Sequence, residues 1–331
     1  MFAESTFVPA RGLSAGHVIT IYAWARGRTY PGLPSPETRL IRVDAESQVR
    51  ADCYWQNDRK ASPTLLCLHG LEGSSEKHYM RGLAHKALRR GWNVVLLNQR
   101  NCGGTEHLTP GLYHSGLTAD PVAVIRALVA DEGLSTFSVA GYSLGGNIAI
   151  KLAGELPDHS DLPVVSVAAV CPTIDLALCS DALQWRQNLL YQLNFLKGLK
   201  ARMRRKAAAF PGRYDLAPLD RIRTIREFDD TYTAPAHGFG TAARYYELAS
   251  ALRVVSRISI PALIIAAHND PFVPVSQYLG DEIRSNPNVH VSLQRHGGHC
   301  GFVGRPTADS DGYWAEQTAV DFVTRTNSHE A

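Results

Sequence analysis

The sequence predicts an α/β fold with a mostly parallel central sheet, helices on both faces of the sheet and an inserted helical cap. From about residue 62, short apolar runs alternate with longer helical patterns, which is typical of βαβ units. This alternation stops between residues 170 and 263, where helical patterns continue without a convincing strand. With 331 residues, 45% of them hydrophobic, the chain is long enough to bury a large core, which excludes disordered and fibrous classes.

The predicted strands of the sheet centre are short and mostly rich in Val, Ile or Leu, as expected for strands buried on both faces. They cover residues 64–68, 93–97, 136–140, 164–170, 263–267 and 289–293. Two earlier segments mix polar and apolar residues and predict antiparallel strands at one edge, over residues 39–43 and 51–55. Apolar residues at helical spacing predict crossover helices over residues 78–90, 118–131, 144–156, 276–283 and 313–325.

The stretch without strands is far longer than a strand-to-helix connection needs. We therefore expect a core of residues 1–170 and 260–331, with a helical cap or lid over residues 171–259, here called the cap segment. Its first long helical pattern, residues 184–208, is basic, and we expect its charges to form a solvated face. Weak contact of residues 186–206 with an anionic membrane surface is the alternative.

Charge and cysteine usage exclude several other classes. The 34 Lys and Arg residues against 31 Asp and Glu residues leave a net charge of +3, and no aromatic residue interleaves the basic run at 197–206, so nucleic acid is not an expected partner. The six cysteines contain no Cys-x-x-Cys pair, so neither a disulfide framework nor a zinc site is expected. Without a secretory signal pattern or a long apolar span, we expect a cytoplasmic protein.

A candidate nucleophile lies in residues 141–145, Gly-Tyr-Ser-Leu-Gly, which match the pattern G-x-S-x-G. A predicted strand runs directly into this segment and a predicted helix runs directly out of it. Small residues on either side allow the sharp turn that would expose the hydroxyl of Ser143 above the sheet. The alternative is a phosphate-binding glycine turn, but the G-x-G-x-x-G spacing and the Lys-Ser/Thr of a P-loop are missing.

A serine nucleophile needs a histidine base that is oriented by an acid, in the chain order serine, acid, histidine. Asp270 follows the predicted strand 263–267, and His299 lies in a glycine-flanked loop just beyond the next strand. Both positions are at the carboxyl end of a parallel sheet, where ligands bind in open α/β folds. We therefore expect Ser143, Asp270 and His299 to form a catalytic triad.

Alternatives to these two assignments exist. Asp270 is also a candidate turn residue ahead of Pro271, with Asp281 and Asp175 as more distant substitutes for the acid. His296 lies in the same loop as His299 and is the alternative base. A metal held by the two histidines and Cys300 is disfavoured because no further ligand stands at suitable spacing.

An oxyanion hole would supply backbone N–H groups to the charge that develops on the substrate carbonyl oxygen. One expected donor is the N–H of Leu144, directly after the nucleophile. The other is the N–H of Leu71, in the His-Gly-Leu-Glu-Gly segment 69–73 that follows the predicted strand 64–68. A plain glycine turn that joins strand and helix is the alternative role of this segment.

Segments along nearly the whole chain resemble the YheT-like, or AB-hydrolase-4, branch of the α/β-hydrolases. They are Gly-His-Val-Ile-Thr-Ile-Tyr at 16–22, residues 69–73 with His78-Tyr79, Asn-Cys-Gly-Gly at 101–104, Tyr-His-Ser-Gly at 113–116, residues 141–146, Phe-Asp-Asp-Thr-Tyr-Thr-Ala-Pro at 228–235, Asp-Pro-Phe at 270–272 and Gly-Gly-His at 297–299. The resemblance implies an α/β-hydrolase fold with a helical cap, and esterase or lipase-type activity on the triad named above. Two departures are Asn269, where many relatives have Asp, and Cys300, where an aliphatic residue is usual.

The expected function is therefore hydrolysis of carboxylic esters through an acyl-enzyme on Ser143, without a metal or organic cofactor. The expected partner is a small ester or lipid-like substrate, and the sequence leaves the oligomeric state open. The alternatives are a non-catalytic protein that binds a hydrophobic ligand, and an acyltransferase or phospholipase that uses the same site.

Overall fold

The computed structural model describes residues 6–328 and contains one eight-stranded sheet. The strands are β1 (Glu37–Arg42), β2 (Gln48–Tyr54), β3 (Thr64–Leu68), β4 (Asn93–Leu97), β5 (Phe137–Tyr142), β6 (Val164–Val170), β7 (Ala262–Ala267) and β8 (Val289–Gln294). Their order across the sheet is β1-β2-β4-β3-β5-β6-β7-β8. β1 and β2 pair antiparallel with each other, and β2 pairs antiparallel with β4. All the other pairings are parallel, which confirms the predicted α/β sheet with its antiparallel edge.

Helices cover both faces of this sheet. They are α1 (Gly16–Ala25), α2 (His78–Leu88), α3 (Ala119–Glu132), α4 (Leu144–Glu155), α5 (Leu176–Leu183), α6 (Leu189–Ala209), α7 (Ile225–Phe228), α8 (Ala234–Ala236), α9 (Ala242–Ala249), α10 (Asp281–Arg284) and α11 (Trp314–Ser328). Buried side chains of α3 and α4 share one apolar cluster with one face of the sheet, and those of α1, α2 and α11 share a second cluster with the other face.

The predicted and observed helices differ in two regions. The segment predicted as one helix over 276–283 is a 3₁₀ turn, Val275–Tyr278, followed by the single-turn helix α10. Pro274 precedes this turn and Gly280 separates it from α10, so the two short pieces do not join. The structure also adds α1, which the sequence did not predict, because its apolar residues do not form one continuous stripe.

Between β6 and β7 the chain contains the helices α5 to α9 and no strand, as the pattern predicts. The long basic helix is α6, and here the expected solvated face is only partly correct. Arg202 and Lys206 are 6% and 0% exposed and point into the protein. Within residues 6–328, no helix is both long and apolar enough to cross a membrane.

Candidate active site

Ser143 lies at the sharp turn between β5 and α4, in a left-handed conformation with φ of 53°. Glycines on both sides make this turn possible. A Cβ atom on Gly141 would lie 2.2 Å from the carbonyl oxygen of Gly145, and one on Gly145 would lie 2.4 Å from that of Leu68. The backbone strain at Ser143 is therefore held by close packing that only glycine permits, and it presents the hydroxyl to the cavity below the cap segment.

His299 lies between Ser143 and Asp270, the other two residues of the predicted triad, and contacts both. Its Nε2 atom lies 2.9 Å from Ser143 Oγ, and its Nδ1 atom lies 2.8 Å from Asp270 Oδ2. With Asp270 ionised, Nδ1–H donates to the carboxylate and leaves Nε2 as the acceptor for the serine proton.

The carboxylate of Asp270 also accepts hydrogen bonds from backbone N–H groups of its own turn. Its Oδ1 atom accepts hydrogen bonds from the N–H groups of Phe272 and Val273, at 3.1 and 2.9 Å. One carboxylate oxygen of Asp270 therefore stabilises the turn, and the other contacts His299. These bonds fix the direction in which Oδ2 faces His299.

The other candidate acids and the other candidate base lie elsewhere. Asp175 caps α5 by accepting from the N–H of Leu178, and Asp281 begins α10. His296 is bonded through Nδ1 to the carbonyl oxygen of Ser14, at 2.9 Å. The loop thus turns its two histidines toward different neighbours.

Helix α1 holds the backbone of the histidine loop, a contribution that sequence reasoning missed. Thr20 Oγ1 accepts from the N–H of His299 at 2.8 Å, and Asn269 Oδ1 accepts from the N–H of Gly298 at 3.0 Å. Asn269 also donates through Nδ2 to the carbonyl of Ser14, which an aspartate could not do. The only sequence signal was the similarity of residues 16–22 to a family segment.

Burial and neighbouring charge oppose each other at the histidine. Burial disfavours the imidazolium form, but the negative charges of Cys300 and Asp270 outweigh this effect and raise the pKa of His299. Burial likewise disfavours a thiolate at Cys300, but the hydrogen bond from Cys171 and the positive charge of His299 lower the pKa of that thiol. The two neighbours therefore stabilise each other's charged forms.

The two residues expected to supply the oxyanion donors, Leu71 and Leu144, both line the cavity that contains Ser143. Leu144 is the first residue of α4, so its N–H has no acceptor within the helix. In the other loop, the N–H of Gly70 donates to Tyr79 Oη at 3.1 Å, and Leu71 is the next residue. A Cβ atom on Gly70 would lie 3.3 Å from that of Ser143, so this loop passes close to the Ser143 side chain.

A neutral histidine stiffens the base of the loop 69–73, here called the oxyanion loop after its expected role. Burial lowers the pKa of His69 to about 4. In its neutral form, Nδ1–H donates to the carbonyl oxygen of Gly70 at 2.8 Å and Nε2 accepts from the N–H of Gln99 at 3.1 Å. Both ring nitrogens are thus used in holding the loop rather than in chemistry.

The cap segment reaches the oxyanion loop through a buried ion pair between Glu72 and Arg202 of α6. Glu72 has φ of 58°, and a Cβ atom on Gly198 would lie 2.7 Å from its Oε2 atom. Arg202 also donates to Tyr113 Oη at 3.1 Å, and Tyr113 Oη in turn accepts from the N–H of Glu72 at 3.5 Å. The position of α6 is therefore coupled to that of Glu72, the residue after Leu71.

A cavity of about 110 Å³ lies between the strand ends and the cap segment. Its walls are mainly apolar, and the aromatic and aliphatic side chains include Leu112, Leu183, Phe195, Leu199, Met203, Ile225, Phe228 and Phe272. At its edge, Asp229 accepts from Tyr246 Oη at 2.7 Å, and Asp230 accepts from the N–H of Ala242. The two acids of segment 228–235 thus serve the packing of the cap segment.

Comparison with known protein families identifies the same fold. A model of the alpha/beta hydrolase fold matches residues 63–306. The chain belongs to the α/β-hydrolase family. It is 36% identical to the Escherichia coli (strain K12) protein named "Putative esterase YheT" over 327 residues, which cover 97% of this chain and 94% of that protein.

Other relatives of this α/β-hydrolase extend the comparison. The mouse protein "Phospholipase ABHD3" is 29% identical over 320 residues, covering 92% of this chain and 76% of its own length. Among solved structures, the Pyrococcus furiosus esterase Pf2001 has a TM-score of 0.55 at 18% identity, covering 92% of this chain and 96% of its own. The 2,6-dihydroxy-pseudo-oxynicotine hydrolase has a TM-score of 0.61 at 16% identity, covering 94% and 71%. At these identities the structural likeness supports the fold alone.

Proposed function

We propose that this α/β-hydrolase is a serine esterase that cleaves carboxylic esters through an acyl-enzyme on Ser143. The supporting observation is the chain of contacts from Asp270 through His299 to the Ser143 hydroxyl, 2.8 and 2.9 Å long, at the mouth of an apolar cavity. The esterase and phospholipase names of the relatives agree with this reaction class. We further propose residues 171–259 as a cap that sets substrate choice.

The reaction has two halves. His299 Nε2 takes the proton of Ser143 as Oγ attacks the ester carbonyl, and the N–H groups of Leu71 and Leu144 hold the oxyanion. The imidazolium then protonates the leaving alcohol, and Asp270 stabilises that charged ring. Water, deprotonated by the same nitrogen, attacks the acyl-enzyme and releases the acid. All the groups named belong to this chain, so the mechanism calls on no metal or organic cofactor.

The cavity favours an ester with an apolar acyl or aryl part. Its walls are dominated by leucine and phenylalanine, and the cations of α6 that face it, Arg202 and Lys206, already hold protein acceptors. Acyl transfer to an alcohol or thiol shares the acyl-enzyme and differs only in the second nucleophile. A non-catalytic binding protein would use the same walls without needing the contact between His299 and Ser143.

Labelling with a fluorophosphonate tests this proposal without a guess about substrate. The reagent forms a stable adduct only with an activated serine, so intact-mass analysis of the wild type should show one adduct, and peptide mapping should place it on residue 143. Ser143→Ala should give no adduct, whereas Ser180→Ala, which removes another hydroxyl of the same cavity, should label as the wild type does. A folded wild-type protein that takes no label would favour the binding protein instead.

We also propose weak contact between the start of α6 and an anionic lipid surface. Trp185, Leu190 and Leu193 are 50%, 77% and 56% exposed, and Arg186 and Lys197 are exposed on the same stretch. An apolar surface with basic neighbours suits the boundary of an anionic bilayer.

Co-sedimentation with phosphatidylserine-containing vesicles tests this contact. Leu190→Glu should lower the bound fraction several-fold relative to the wild type, because it adds a charge to the apolar surface. Leu40→Glu adds the same charge at another exposed leucine, 53% exposed against 77% for Leu190, on the edge strand β1 and is the control. Equal binding by both variants would contradict the proposal.

A further inference from the structure

Two cysteines meet directly behind the catalytic histidine. Cys171 follows the last residue of β6, and Cys300 follows His299. The N–H of Cys300 donates to Cys171 Sγ at 3.3 Å, and the two sulfur atoms and a ring nitrogen of His299 all lie within 4.8 Å of one another. Two separate strand-end loops are thus in contact through their thiols.

The backbone holds both cysteines in this arrangement. Cys171 and Cys300 have φ values of 46° and 57°, in the left-handed region that residues with a side chain rarely adopt. Neither position can relax easily, because Cys171 Sγ lies 3.7 Å from the carbonyl oxygen of Gly298 and Cys300 Sγ lies 3.6 Å from that of Val170. Such local strain is kept where the surrounding structure fixes it and is a common feature of functional sites.

A second, much smaller cavity reaches Cys300 and is lined by other residues than the cavity that contains Ser143. It measures about 10 Å³, close to the space of one water molecule, and Cys300, His78, Tyr142 and Tyr313 line it. Within residues 6–328, the hydroxyls of both tyrosines and Nδ1 of His78 are buried without a hydrogen-bond partner. The cavity therefore offers polar groups to a very small polar molecule beside the sulfur.

These observations distinguish Cys300 from the other thiols. Cys53, Cys67, Cys102 and Cys179 are buried, and burial raises the pKa of each, to about 12 for Cys53 and about 11 for Cys102. Cys300 is partly exposed, and its neighbours favour the thiolate. The thiolate is the form that a peroxide oxidises.

We propose that Cys300 and Cys171 form a redox-sensitive pair, which a small peroxide converts to a disulfide that disables the active site. This goes beyond the proposed function and depends on it only for the loss of hydrolysis. In the first step, the Cys300 thiolate attacks one peroxide oxygen; an S–O bond forms, the O–O bond breaks, and the released hydroxide takes a proton to become water. In the second, the Cys171 sulfur attacks Cys300, an S–S bond forms and the sulfenic oxygen leaves as a second water. Two thiols lose two electrons, and the peroxide gains them.

The consequence for catalysis follows from the position of the pair. A disulfide requires a sulfur-to-sulfur distance of about 2.0 Å, shorter than any non-bonded contact, so we expect the loop that contains His299 to shift as the bond forms. His299 Nε2 is 2.9 Å from Ser143 Oγ, and a displacement of about 1 Å at such a contact is worth a loss on the order of 100-fold in rate. A reductant that restores both thiols should restore the contact.

The test uses hydrogen peroxide on the purified full chain, with mass and activity measured on the same samples. Oxidation should lower the intact mass by two hydrogens, give a cross-linked peptide that joins residues 171 and 300, and lower ester hydrolysis at least 10-fold, with recovery after dithiothreitol. Cys171→Ala and Cys300→Ala should each keep most of their own starting activity under the same dose. Cys53→Ala is the matched control and should respond as the wild type does.

Three results would overturn the proposal: oxygen added to Cys300 without a cross-link, a cross-link that leaves hydrolysis intact, or no oxidation of either residue. The measurements also separate this proposal from the proposed function. Fluorophosphonate labelling of the reduced protein reports on Ser143 alone, whereas the mass loss reports on the two cysteines whether or not the protein hydrolyses esters.

Discussion

The strand-end loops of the core and the cap segment reach the same cavity by different means. The loops place side chains by forcing the backbone, with Ser143, Glu72 and Cys300 all at positive φ. Helix α6 instead extends long side chains, Arg202 and Lys206, into the protein from a regular backbone. The difference teaches that the proposed reacting groups depend on fixed backbone, while the cap segment is tied to the core through the contacts of long side chains. Changes in the loops should therefore remove chemistry, and changes in α6 should alter placement and stability.

The sharpest contrast is between two serines that line the cavity, one from each region. Ser143→Ala removes the proposed nucleophile, so kcat/KM for an activated ester should fall by at least about 10⁴-fold. Ser180→Ala removes a hydroxyl that donates to Tyr246 Oη and should cost less than about 10-fold. Steady-state kinetics with a p-nitrophenyl ester measures both. Comparable activity of Ser143→Ala and the wild type would refute the assignment.

The ion pair between the two regions should give an intermediate effect. Arg202→Met leaves Glu72 buried without its cation and frees the loop that carries Leu71, so kcat should fall about 10-fold with a smaller change in KM. Arg204→Met changes an exposed arginine two residues away, bonded to Asp220, and should leave both constants within about two-fold. If KM rises while kcat is unchanged, α6 shapes the pocket and does not position the oxyanion loop.

The anchor of α6 should affect stability. Lys206 Nζ donates to Asn101 Oδ1, at 2.7 Å, and to the carbonyl oxygens of Glu106, at 2.9 Å, and Thr109. Lys206→Met would leave these acceptors unpaired and should lower the free energy of unfolding by about 3 kcal/mol. Lys197→Met, at an exposed position of the same helix, should change it by less than about 0.5 kcal/mol. Urea titrations of both variants provide the comparison.

The smallest effect is a displacement of the pH profile. His299 must be neutral to accept the serine proton, and its raised pKa means that activity is lost as the pH falls through a value above the usual imidazole range. Cys300→Ala removes one cause of the increase, so the acid limb of kcat/KM should move to lower pH. A limb that stays in place would show that Asp270 alone sets the pKa, and a thermal melt would establish that the variant is folded.

Much of the core was predictable because its signals are local. Each central strand is a short apolar run, and the observed bounds lie within two residues of those predicted, as for β7 at Ala262–Ala267 against 263–267. The turn 141–145 was identifiable from its glycine spacing, since neither Gly141 nor Gly145 has space for a Cβ atom. Strand β2 is longer than predicted, Gln48–Tyr54 against 51–55, because pairing with β1 and β4 fixes its ends.

By itself, the sequence determined the parallel sheet, the helical segment between β6 and β7, and the strand ends at which Ser143, Asp270 and His299 lie. The period of apolar residues and the spacing of glycines are properties of neighbours along the chain, so they can be read without a structure. Only the tertiary structure decided that Arg202 and Lys206 are buried, that α1 supports the histidine loop, and that Cys171 lies against Cys300. These pairs are separated by up to 279 residues, as for Thr20 and His299, and their contacts follow from packing that no local pattern encodes.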